Sequence, residues 1–272
     1  MTSVATISIA TLNISAASKS RAARVVEEWV ATSNHDVYVF TETTNGEGTD
    51  LIVSAFTTAG WSVFRERLPE RERGVLIAAR IAAVRIDGPV DDPAPGRTVF
   101  IELSSEPRVI VAGMYVPSRN ATVRQIQRTQ AFLAFWSRSL TAMVSHPHRV
   151  LAGDLNVVPP DQHPIIFPQL DFEDRWFASL EHAADLVDPV RLRGLRHEFT
   201  WRARPSDEGY TYDYVLASRA LIPRVANTSY DHTVRMTRGL SDHSAVALSL
   251  RLDNVPLGAP RPQQNVRQSS LF

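Results

Sequence analysis

Short apolar runs that stop abruptly on a polar residue are the strongest constraint on this chain. In "RVLAGDLNVVP" (residues 149–159), Val150-Leu151-Ala152 gives way to Asp154. Asn156 follows, and Pro159 blocks any return to a regular strand. "TISIATLNI" alternates apolar with small or polar residues, as a half-buried strand does, and carries Asn13 at its end, while "VYVFTE" ends on Glu42. Further runs at "GVLIAAR", "AVRID", "TVFIEL" and "RVIVAGMYV" read as strands, as do "TYDYVLAS", "HTVRM" and "SAVALSLRL" late in the chain. Between them the apolar period changes to that of helices. Ala22, Val25, Val26, Trp29 and Val30 share one face, "DLIVSAFTTAG" reads as a short helix, and residues 122–145 as a long one. The long helix should bury Val123, Ile126, Leu133, Trp136, Leu140 and Met143. No linker interrupts before Leu252, so one mixed α/β domain is expected over residues 1–251. A flexible Pro/Gln/Asn/Ser-rich tail follows over 252–272.

Composition removes several kinds of chemistry. The chain has 272 residues and no cysteine, which excludes disulfides, thiolate zinc sites and cysteine nucleophiles. No apolar run is long enough for a bilayer, and the N-terminus lacks a secretory pattern, so a cytoplasmic monomer is expected. The formal net charge is zero, yet residues 107–153 hold no acid and six arginines, at 108, 119, 124, 128, 138 and 149. Such a stretch suits either a solvated helix face or focused attraction of a phosphate-bearing ligand.

The polar residues at strand ends form a coherent inventory. A lone Asp at such a place is ordinarily a turn former. Here Asn13, Glu42, Asp154, Asn156, Asp213 and the pair Asp242-His243 all interrupt or end strand-like sequence, where α/β sheets build sites. Asp154 and Asn156 can face one ligand together if strand geometry persists that far. Glu42 and Asp242 offer hard oxygens, with neutral Asn13 nearby, which fits Mg²⁺ or Mn²⁺. His243 can activate water, or stabilise phosphate charge if protonated, with Asp213 to orient it. Asp154 can align or deprotonate the water. Asn156 and the Tyr115 hydroxyl can hold a phosphate oxygen without adding negative charge.

Taken in order, "TLN" at Asn13, "TE" at Glu42, "YVPS" at Tyr115, "GDLN" at Asp154 and Asn156, "FTWR" at Trp201, "YDYVLAS" at Asp213 and "SDHSAV" at Asp242-His243 resemble the endonuclease/exonuclease/phosphatase superfamily. The likeness is greatest to its exonuclease III and apurinic endonuclease branch. The resemblance covers residues 5–251. It implies a four-layer α/β sandwich, two mixed β-sheets packed face to face and flanked by helices. It also implies Mg²⁺- or Mn²⁺-assisted hydrolysis of a phosphoester by direct attack of water. Glu42 would be the main metal ligand, with Asn13 and Asp242 near the metal. Asp154 would manage the water or leaving group, Asn156 and Tyr115 hold the phosphate, and His243 pair with Asp213. Two positions depart from that branch: Thr44 stands where lysine is usual, and "NISA" replaces an Asn-x-Asn/Asp-Gly string. Both leave the exact substrate open.

DNA is the expected partner. The acid-free stretch supplies Arg119 and Arg124, while Trp201 with Arg202 and Arg204 offers a ring to stack and cations for a backbone. A phosphatase or phosphodiesterase for small or lipid substrates is the alternative, and a non-catalytic binding module a further one. The tail ends in "RQSSLF", which resembles bacterial sliding-clamp-binding peptides through Gln268, Leu271 and Phe272. Two tethered apolar side chains can dock in a small pocket while Gln sets the register. A peptide of residues 261–272 is expected to bind a bacterial sliding clamp, and Leu271→Ala with Phe272→Ala to abolish this; equal binding of both peptides by fluorescence anisotropy would refute the clamp assignment.

Overall fold

The computed structural model describes residues 4–119, 122–159, 162, 169–195, 198–202 and 208–255. Chain order begins β1 (Val4–Asn13), α1 (Lys19–Arg24) with a π-helical continuation (Val25–Val30), β2 (Val37–Thr43), α2 (Glu47–Thr58), β3 (Ser62–Arg65), β4 (Gly74–Ala79) and β5 (Ala83–Ile86). Then come β6 (Thr98–Leu103), β7 (Val109–Tyr115), α3 (Val123–Ala142), β8 (Arg149–Asp154), α4 (Asp171–His182) and β9 (Leu186–Val187). The rest is α5 (Pro189–Leu192), β10 (Trp201–Arg202), β11 (Gly209–Tyr210), β12 (Asp213–Ser218), β13 (Val225–Asp231), α6 (Thr233–Met236) and β14 (Ala245–Asp253).

The strands form two six-stranded mixed sheets, ordered β13-β14-β1-β2-β4-β3 and β5-β6-β7-β8-β12-β9, with β10-β11 as a separate hairpin. Their facing surfaces make one apolar layer. Ile9, Val39 and Ile77 of the first sheet meet Ile101, Val111 and Val150 of the second. The outer face of the first sheet packs on the Trp29 helix and α2 through Phe40, Ile52 and Phe56. The outer face of the second packs on α3 and α4 through Leu151, Trp136 and Phe177. Both faces of the central strands are thus covered, which is why they read as continuous apolar runs. The result is the expected four-layer sandwich.

Strand direction decides where the polar residues gather. β1 runs parallel to β2, and β7 parallel to β8, so Asn13, Glu42, Tyr115 and Asp154 leave the sheets at one end. β12 is antiparallel to β8, so its first residue, Asp213, lies opposite Asp154 at that same end. β14 is antiparallel to β1, which brings the preceding Asp242-His243 there too.

Two readings of local structure change. "HTVRM" is mostly helix α6, because Asp231 accepts hydrogen bonds from the Thr233 amide (3.0 Å) and hydroxyl (2.6 Å) and turns the chain. The strand comes just before it, as β13. Val123 is 69% exposed rather than inside. The buried stripe of α3 starts later and runs Thr129, Phe132, Leu133, Trp136, Leu140. The tail residues Gln268, Leu271 and Phe272, and Arg204, lie outside the described residues.

Gly153 shows how tightly β8 joins β7. Its φ is +148°, and a Cβ there would lie 1.9 Å from the Met114 carbonyl oxygen. Backbone cannot yield as a flexible side chain can. Gly153→Ala is therefore expected to cost about 3 kcal/mol or more in urea unfolding; a loss below about 1 kcal/mol would show that β7 and β8 separate easily.

Candidate active site

Asn13, fully buried at the end of β1, donates from Nδ2 to Asp154 Oδ2 (2.8 Å), linking the two sheets. Its Oδ1 accepts from the Ser15 amide at 2.7 Å. Ser15 and Ala16 both have left-handed backbone, φ 50° and 47°, so the chain turns sharply beside the site. A glycine-free left-handed pair is costly, and such strain concentrates where a site must be shaped. At the end of β2 a register shift between Thr41 and Thr43 brackets Glu42, whose φ is 55°. The bulge re-aims the carboxylate. Glu42 Oε1 accepts from the Tyr115 hydroxyl (3.0 Å), and Oε2 is paired with Arg73.

Asp154 is the last residue of β8 and 1% exposed. Asn156 is not a continuation of the strand. Its φ of 48° places it in a turn, where its amide donates to Asp154 Oδ1 (2.9 Å) and its Nδ2 to the Val116 carbonyl (2.9 Å). The two residues therefore share a cleft through a turn, not through strand alternation. The loop before β14 is tied in by Ser241, which donates to the Asn13 carbonyl (2.5 Å) and accepts from the His243 amide (3.0 Å). His243 Nδ1 lies 2.7 Å from Asp213 Oδ2, and both residues are buried.

Burial and charge shift these groups apart from ordinary carboxylates and imidazoles. Burial pushes the Asp154 carboxyl well up, helped by neighbouring Asp213 and opposed by His243 and Asn13. Burial alone would lower His243, but Asp213, Asp154 and Asp242 outweigh it and raise the imidazole to about 9. Burial also opposes ionisation of Asp242, yet His243 and the Trp201 indole hold it below the usual range. Trp201 Nε1 donates to Asp242 Oδ2 at 3.2 Å. Tyr115 is raised by burial and by Glu42, so its hydroxyl keeps its proton.

Glu42, Asp154, Asn156, Asp242 and His243 line one cleft of about 360 Å³. Its walls include Arg119, Trp201 and two residues the motifs did not single out, Tyr210 and Tyr212. Those tyrosines stack at 5.2 Å with an interplanar angle of 1°, and Trp201 lies within 5.7 Å and 5.9 Å of them. The alternation in "GYTYDY" carried that signal, since i and i+2 share a side. Arg73, on the cleft wall, had no sequence signal at all. The substrate-binding arginines fare unevenly. Arg119 is on the cleft and bonded to buried Glu173 (2.5 and 2.8 Å). Arg202 borders a neighbouring cavity with Trp201 and Asp242. Arg124 is exposed on α3 and borders neither cavity. The acid-free stretch is also less positive than it reads, because Arg108, Arg119, Arg128 and Arg149 pair with Glu102, Glu173, Glu72 and Asp185 from outside it.

The pattern of the Endonuclease/Exonuclease/phosphatase family matches residues 10–243. The chain belongs to this family. The matched stretch contains the residues from Asn13 to His243 described above. No curated protein matches the chain at a significant level. Among solved structures, the 3′ phosphatase NExo from Neisseria, bound to product DNA hairpin, superposes with a TM-score of 0.76 at 20% identity, covering 90% of this chain and 99% of that one. An AP endonuclease from Archaeoglobus fulgidus gives 0.74 at 20% identity, covering 89% and 98%. The AP endonuclease LMAP from Leishmania major gives 0.70 at 17%, covering 90% and 88%. These likenesses are of fold.

With a folded-state pKa raised above its ordinary 6.5, His243 binds its proton more tightly in the folded chain. Its contribution to stability is full below about pH 6.5 and is lost as pH rises through about 9. The upward shift of Asp154 acts with the same sign. In the metal-free protein, NMR titration should place the His243 imidazole near 9, and Asp213→Asn should lower it, because burial persists while the largest favourable partner is lost. An unchanged value in the variant would refute the pairing.

Proposed function

We propose that the protein is a Mg²⁺- or Mn²⁺-dependent phosphodiesterase acting on DNA, as a 3′-exonuclease or abasic-site endonuclease in DNA repair or processing. The observation that carries this reading is the buried Asp154–Asp213–His243 cluster at a cleft that also presents the Glu42 and Asp242 carboxylates. The aromatic trio Trp201, Tyr210 and Tyr212 on the same cleft supports a substrate with a sugar or base to stack. The DNA-directed relatives of the same fold support nucleic acid over a small or lipid phosphoester.

The donor set suits a hard divalent ion. Asp154, Asp213 and His243 bring three ligand atoms within 4.8 Å of one another. His243 is proton-loaded against Asp213, however, so that cluster is already an ion-pair network. Glu42 and Asp242, which also line the cleft, remain as carboxylate donors outside that network, and the chain holds no thiolate to favour zinc. When bound, the ion would offset charge on the phosphate oxygens.

The chain's own residues divide the remaining work. Asp154 accepts from Asn13 and the Asn156 amide through separate oxygens, so a fixed lone pair is aimed at the attacking water. As water adds to phosphorus and the ester P–O bond breaks, Asp154 takes the water's proton, and the departing alkoxide is protonated from solvent to leave as an alcohol. His243, with Nδ1 committed to Asp213, offers Nε2 and positive charge to the phosphoryl oxygens. Asn156 adds a neutral donor, while the Tyr115 hydroxyl is committed to Glu42 and holds that carboxylate in place. Removal of a 3′-terminal phosphate uses the same groups, and the activity of the Neisseria relative supports testing it.

Asp154→Asn and His243→Ala are each expected to lower turnover by about 10³-fold or more on nicked, abasic, 3′-phosphorylated or single-stranded DNA with Mg²⁺ or Mn²⁺. Circular dichroism should show both variants folded. Activity retained in both variants would overturn the mechanism.

A further inference from the structure

Arg73 immediately precedes β4, outside every motif that marks the site, yet its guanidinium rests on Glu42 Oε2. The strand register explains the reach. β4 pairs with β2 through Thr43 and Gly74, and the bulge at Glu42 turns that carboxylate toward the start of β4. Thr44, two residues after Glu42, is neutral, so the cation at this carboxylate comes from the neighbouring strand.

Both Glu42 oxygens are therefore occupied, by Tyr115 on one side and Arg73 on the other. Each oxygen keeps a second lone pair, but a divalent cation taking Glu42 would lie against the Arg73 guanidinium, and the two like charges repel. Tyr115 is 2% exposed and held within the sheet. The Arg73 side chain is 46% exposed on a long flexible stem and is the one free to leave. It has somewhere to go. Arg73 lines both the catalytic cleft and an adjoining cavity of about 330 Å³ that Arg71, Arg97 and Arg128 also border. Arg97 is 5% exposed, lies 4.5 Å over the Tyr115 ring and keeps Nε and Nη1 without hydrogen-bond partners. Glu72 balances part of this charge through Arg97 and Arg128. What remains favours an anion beside the cleft.

We propose that Arg73 is a switch coupling metal to phosphate. It guards Glu42 while no cation is bound, and turns its guanidinium to a substrate phosphate oxygen when a cation takes that carboxylate. A planar fork of N–H donors suits both carboxylate and phosphate. Because each event releases the group the other needs, the two ligands must strengthen each other's binding by the same factor. The inference rests on the phosphodiesterase reading for the identity of the phosphate, but not for the competition at Glu42.

Calorimetric titration of the full chain with Mg²⁺, without DNA, tests the guard. Arg73→Gln should bind Mg²⁺ about fivefold or more tightly than the unmodified chain, Arg73→Lys should stay near it, and Glu42→Gln should lose binding. Inorganic phosphate then tests the coupling. Saturating Mg²⁺ should tighten phosphate binding about fivefold or more in the unmodified chain and leave it unchanged in Arg73→Gln. Equal or weaker Mg²⁺ binding by Arg73→Gln would overturn the proposal, as would phosphate binding equally sensitive to Mg²⁺ in both. If the unmodified chain hydrolyses no DNA while Arg73→Gln still binds Mg²⁺ more tightly, the nuclease reading fails and the switch stands.

Discussion

The hydrogen bond from Asn13 to Asp154 joins two sheets whose contributing residues are 141 positions apart in the chain. It is buried, a bond of a kind worth about 1 kcal/mol net, and its loss would leave the Asp154 carboxyl short of a partner inside the sandwich. Much of the site is built around this contact. Asn13 also caps the Ser15 turn and, through its carbonyl, receives Ser241 from the loop that presents His243. Asp154 in turn receives the Asn156 amide and sits opposite Asp213 in the sheet. Catalytic geometry and inter-sheet packing are therefore one structure rather than a site laid on a finished scaffold.

Charge in this protein is managed by pairing more than by solvent. Two carboxyls and an imidazole share one small volume; the single charge of the imidazolium offsets Asp213, while burial beside that anion pushes the Asp154 carboxyl up. The same economy governs the arginines. Buried Glu173 holds Arg119 on the cleft wall, and its other role is to cap α4 through the Leu170 amide. Arg97 and Arg128 share Glu72. The positive field at the cleft is thus local and directional, as suits a neutral protein that must not bind every polyanion.

Most strands and helices were legible, because several central strands are covered on both faces and so are written as apolar runs, while the four-layer arrangement was implied by the family resemblance rather than by the pattern. Val37–Thr43 and Arg149–Asp154 are plain in that respect. Two-residue strands such as Trp201–Arg202 and the short helix α6 were not, since they depend on single side-chain bonds and distant partners. The carboxylates, the amides and His243 announced themselves by interrupting apolar sequence. Tyr210 and Tyr212 were marked only by the alternation in "GYTYDY", and Arg73 looked like one of several charges in "ERERG".

The sequence by itself determined the chemistry of the site: hard oxygen donors, one histidine with an acidic partner, and no thiol. It also determined which ends of which strands would carry them, because polarity at a strand terminus is a local property. Only the tertiary structure decided which arginines serve the cleft. Arg119 and Arg73 reach it, Arg124 points to solvent, and Arg149 is spent on Asp185. A guanidinium on a long stem takes its meaning from the carboxylate it meets, and that partner is chosen by strand register and sheet packing across the whole chain.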